Sequence, residues 1–263
     1  VHVRRMTVLC TYPTNASQQQ EALAIIDHVI NEAQLNDKFL SPDAPCQDLF
    51  KACIAAHQEV ILNTLLSKVQ SPNAALIERV KADGLLHYAA QEGMTDSFVE
   101  LVKALERAGA SKAQIFEWMM QEYGPQASHV HGANHIQWAT NVFHVAIRND
   151  NAAQLSTILN VLPAGHDADH AIKQALHFCA SLGLQERFKQ ILSKYNALNP
   201  DHPFTVHELL SIQCPPDATS PYHLFLRDEA TLDILDWNAL KQDAALVKSF
   251  LLTSPEGSVA HPA

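Results

Sequence analysis

Apolar residues recur at three- and four-residue steps along most of this chain, the spacing that lays a single stripe down a helix. The clearest stretch runs from Asp83 to Ala110 and reads D-G-L-L-H-Y-A-A-Q-E-G-M-T-D-S-F-V-E-L-V-K-A-L-E-R-A-G-A. It predicts a short helix carrying Ala89 and Ala90, a break at Gly93, and a second helix with Phe98, Leu101, Val102 and Leu105 on one face. Such a pair cannot bury its apolar face alone. It needs like neighbours stacked against it, so the pattern predicts an all-α array of helix-turn-helix units.

Degenerate copies fall in the same frame when His87 is taken as its origin. His144 leads Ala146, Ile147, Asp150 at the turn, then Leu155, Ile158 and Leu159; His177 leads Cys179, Ala180, Gly183, Phe188, Ile191 and Leu192. Two outer copies are looser. Lys51 replaces the histidine ahead of Cys53, Ile54, His57, Leu62, Leu65 and Leu66, and Ser220-Pro221-Tyr222-His223 is followed by the bulky Phe225 and Leu226. The frame resembles the ankyrin repeat, whose units read roughly T-P-L-H-x-A-A-x-x-G-H-x-x-V-V-x-L-L-L. The step from His144 to His177 is 33 residues, the repeat length of that family, whereas the steps of 57 and 46 on either side mark insertions.

The resemblance implies an ankyrin-like solenoid with helical insertions over 48–253, its units near 48–68, 84–110, 141–162, 174–195 and 220–252. It implies that His87, His144, His177 and His223 tie neighbouring loops together at the starts of first helices. It also implies a protein partner, held by the concave face where first helices and joining loops lie. The positions just after the small pair are Gln91 and Glu92, Arg148 and Asn149, Ser181 and Leu182, and Arg227 and Asp228. Irregular arrays of this kind are similar to those of effector proteins that intracellular bacteria deliver into host cells, which implies a host protein as target.

Outside the frame, residues 1–47 read as an arm and a capping helix, with Ser17 the expected N-cap and Leu23, Ile26, Val29 and Ile30 its apolar stripe. Extra helices are expected from Ser71-Pro72-Asn73 to Asp83-Gly84 and from Ser111 to Tyr123, closed by Gly124-Pro125, and residues 254–263 read as a disordered tail.

Composition narrows the picture. A hydrophobic content of 47% with 7% aromatic residues and 8 glycines suits alanine- and leucine-rich helices better than hairpin-rich sheets. The net charge of −10 argues against a nucleic-acid or anionic-membrane surface, and no apolar run approaches the roughly 20 residues that cross a bilayer. The two arginines near the start are not followed by a long apolar segment, so a secretory leader is not supported. Five cysteines without a C-x-x-C pair fit a reducing, cytoplasmic setting.

Two chemical alternatives stay open. His129, His131 and His135 crowd one polar loop beside Trp138, which reads as a contact surface or, given further ligands, a metal site. Cys10 or Cys46 could serve as a nucleophile beside one of the many histidines. Between His166 and His170, an aspartate at 167 or 169 is expected to N-cap the following helix. No phosphate-cradling, dinucleotide or nucleophile-elbow motif is present, so no cofactor is expected and a recognition module is the reading preferred over an enzyme.

Overall fold

The computed structural model describes residues 15–33, 49–68, 73–121, 141–165, 168–204 and 208. Among these residues the chain is all-α, with eleven helices and no strand. It divides into two compact units, Val1–Val161 and Leu162–Ala263.

In the first unit, α1 spans Ala16–Ala33. Three helix pairs follow: α2 (Leu49–Ala55) with α3 (Glu59–Lys68), α5 (Leu85–Gln91) with α6 (Thr95–Arg107), and α8 (Val142–Arg148) with α9 (Ala152–Asn160). Two further helices, α4 (Ala74–Asp83) and α7 (Lys112–Met120), fall between the pairs. First helices touch first helices, α2 on α5 and α5 on α8. Second helices touch second helices, α3 on α6 and α6 on α9, while α1 covers α3.

The apolar stripes explain this layering. Cys53 and Ile54, Ala89 and Ala90, and Ala146 and Ile147 are buried on the first helices. Leu62, Leu65 and Leu66, then Phe98, Leu101, Val102 and Leu105, then Leu155, Ile158 and Leu159 are buried on the second. Each second helix therefore buries a stripe that its own short first helix is too small to cover, and the neighbouring pair supplies the rest.

All three pairs turn in the same way. His57, Gly93 and Asp150 have φ of 51°, 71° and 49°, and each lies six residues beyond the frame origin at Lys51, His87 or His144. The amide of each donates to the carbonyl three residues back, and the next amide reaches the carbonyl five residues back: Gly93 to Ala90 and Met94 to Ala89, for example. This double bond is the Schellman closure, which satisfies the last carbonyls of a helix while reversing the chain. Its acceptor carbonyls belong to the paired small residues of the frame.

Caps set where helices begin. Asn73, Asn141 and Asn151 accept from the backbone amides of Leu76, His144 and Gln154, and Ser111 forms a reciprocal capping box with Gln114. For α1 the cap is not the expected Ser17. The Asn15 side chain accepts from the Gln18 amide at 2.9 Å, which starts the helix at Ala16.

The second unit contains the fourth pair, α10 (Asp169–Ser181) packed on α11 (Gln185–Leu198). Gly183, with φ of 70°, closes it by the same two bonds, to Ala180 and from Leu184 to Cys179. Asp169 does not cap α10, because it is already the first helical residue and Ala168 stands at the cap. Its carboxylate instead accepts from the buried Tyr195 hydroxyl. Burial, that hydrogen bond and the nearby carboxylates of Asp169 and Glu208 push the phenol up and keep it protonated. The Tyr195 ring stacks on Phe204 at 4.2 Å between centroids, and Lys173 Nζ lies 5.3 Å from the centroid on the Phe204 face.

Candidate functional site

The frame histidines His87 and His144 are 4% and 9% exposed within the packed first helices α5 and α8, and His177 on α10 of the second unit is 8% exposed. Cys53 and Cys179 are buried thiols outside any disulfide, at small-residue positions of the same frame. A residue one turn further along each first helix comes to the surface, because the helix is only seven residues long in α2, α5 and α8 and ends there.

Four of the sequence-predicted contact residues meet at this end of the first unit. Gln91 closes α5 and is half-buried; Glu92 follows it as the C-cap. Arg148 closes α8 and Asn149 caps it, both exposed. Since α5 packs on α8, the four share one edge at the hairpin turns. The edge is cross-linked between pairs. Asn149 Nδ2 reaches the Ala90 carbonyl at 3.5 Å, and Asn151 Nδ2 donates to Thr95 Oγ1 at 2.7 Å. Glu92 Oε2 stands 3.8 Å from His57 Nε2, a contact that becomes an ion pair when the imidazole is protonated.

Ser181 and Leu182 occupy the matching positions of α10, at its last residue and C-cap, and Leu182 is 45% exposed. They belong to the second unit. His129, His131 and Trp138, together with His135, Arg227, Asp228, His223, Cys10 and Cys46, lie outside the described residues.

Electrostatically the edge is governed by Arg148. Burial first, and then the Arg148 guanidinium, lowers both His87 and His144, the latter to about 4. Both imidazoles are therefore neutral at pH 7, and the exposed Arg148 is the nearby cation that both of them feel. Elsewhere in the unit the basic groups Lys51 and Arg79 lie 3.4 and 3.3 Å from Asp83, and Arg107 lies 2.8 Å from Glu100. Among the described residues no carboxylate lies within ion-pair distance of Arg148.

The sequence frame brings Gln91, Glu92, Arg148 and Asn149 to successive helix ends, but gives no sign of His57, Thr95 and Asn151 as their neighbours. The turn position of His57 was in the frame, and histidine is among the non-glycine types found in left-handed turns, but spacing alone does not bring its ring to Glu92. Asn151 was not singled out in the sequence, although it caps α9 through the Gln154 amide. Its bond to Thr95 was not legible either, since the 56 residues between them carry no local signal of contact.

Among the described residues no three histidine, cysteine or acidic side chains converge as a metal ligand set, and no helix is long and apolar enough to cross a membrane. No family model matches the chain, and comparison with curated proteins and with solved structures finds no match.

Proposed function

We propose that this chain is a protein-recognition module, built from ankyrin-like units, that holds a partner protein along the hairpin edge of its first unit. The observation that carries this reading is the recurrence of one hairpin geometry on three mutually packed pairs, which leaves Gln91, Glu92, Arg148 and Asn149 side by side at the surface. A periodic scaffold with a constant core and variable edge residues separates stability from specificity, so the edge can change without unfolding the stack. Both charge signs and several amide groups lie on that edge. Such a mixture suits a polar protein surface better than an enclosed small molecule.

The test is capture from a eukaryotic lysate by the native chain and by a variant carrying Glu92→Lys and Asn149→Lys, after both show the same melting temperature. A stoichiometric protein retained by the native chain and lost by the variant supports recognition through this edge. Equal capture by both moves the contact elsewhere, to the histidine-rich segment around His129 and His131. Capture of nothing by either overturns the reading.

A further inference from the structure

Arg148 is the feature of the edge that its own fold leaves unanswered. It is exposed, and it is the last residue of α8. Lys51, Arg79, Lys103 and Arg107 in the same unit each stand 2.8 to 3.6 Å from a carboxylate. No described carboxylate does the same for Arg148, although acidic residues are near: Glu92 faces His57 instead, and Asp150 occupies the adjoining turn. A guanidinium presents a planar fork of donors that matches a carboxylate in two parallel hydrogen bonds, and a neighbouring amide adds a further donor.

We propose that Arg148 anchors an aspartate or glutamate side chain of the partner protein, with the remaining N–H of the Asn149 side-chain amide, whose other N–H reaches the Ala90 carbonyl, as the second donor. This rests on the recognition reading above and names the chemistry of its central contact.

A side-chain carboxylate fits better than a chain terminus. Capture of a terminal carboxylate uses converging backbone N–H groups. Here the amides of Asn149, Asp150 and Asn151 are already bonded to Val145, Ile147 and Ala146. The two imidazoles behind Arg148 are buried, so neither competes for an incoming carboxylate nor repels Arg148 at neutral pH. The net charge of −10 acts over longer distances and slows the approach of an acidic partner, but salt at physiological strength screens that field beyond about 8 Å while contact at Arg148 persists.

The experiment pans a phage library of random dodecapeptides against the full chain at pH 7, then measures Kd for a synthetic enriched peptide. Native protein, Arg148→Gln and Arg148→Glu are compared after their melting is shown to be equal. The expected result is an acidic residue common to the enriched peptides and binding weakened about tenfold or more by Arg148→Glu. Asparagine or glutamine in place of the peptide's acidic residue should cost a similar factor on the native chain and little more on Arg148→Gln. That peptide-side change tests the contact even if a protein variant proves unstable. Enriched peptides without an acidic residue, bound equally by all three proteins, overturn the carboxylate contact and leave the recognition reading standing. Failure to enrich any peptide over a blank surface counts against both.

Discussion

The hairpin turns show how much depends on one backbone angle. Glycine enters the left-handed region freely, whereas a residue with a β-carbon meets a penalty of roughly 1–2 kcal/mol there. Gly93 and Gly183 meet the requirement by composition; Asp150 and His57 belong to the non-glycine types found there most often, but each still carries a β-carbon that glycine lacks. The ion pair of His57 with Glu92 is exposed and offsets little. His57→Gly is therefore expected to raise stability by about 0.5–1 kcal/mol, with part of the relief lost to the greater freedom of glycine in the unfolded chain. Gly93→Ala should lower it by about 1 kcal/mol. The cause is backbone strain alone, because a β-carbon at Gly93 meets no heavy atom within 4 Å. Urea midpoints for the two variants check both signs, and a neutral His57→Gly would show that the turn is not strained.

At the scale of elements, the helices were legible because their starts and stops are written in side chains. Asn73 and Gly84 bracket α4, and Ser111 with Gln114 starts α7, as turn and cap chemistry predicts. The misreadings are equally local. Ser17 and Asp169 are both good capping residues, but Asn15 and Ala168 take the cap positions. A cap is decided by where the first helical turn packs, and in the second unit Tyr195 draws the Asp169 carboxylate into another bond. Asn151 combines two tasks, capping α9 through the Gln154 amide and reaching Thr95 at the start of α6. Asn151→Ala is expected to cost about 1–2 kcal/mol, of which the cap accounts for about half. In a double-mutant cycle with Thr95→Val, a coupling of about 0.5–1 kcal/mol would isolate the bond between pairs; additivity would deny it.

For the molecule as a whole, burial of uncharged histidines makes the first unit acid-sensitive. His144 falls to about 4 in the folded chain against about 6.5 when unfolded, and His87 shifts the same way. The unfolded chain thus takes up protons first. Stability is complete above pH 6.5, declines as pH falls toward 4, and loses about 3 kcal/mol over that window from His144. Urea midpoints at pH 7, 5.5 and 4.5 should trace this decline, and His144→Gln should flatten it. Helical period, paired small residues and turn residues were enough to set the all-α class, the helix pairs and the positions that end each first helix. These are local properties, carried by spacings of three to six residues. Which pairs touch, and how Asn149 and Asn151 cross to the preceding pair, are decided only in three dimensions. Each joins residues separated by long insertions, and no local pattern records a contact that exists only once the layers have packed.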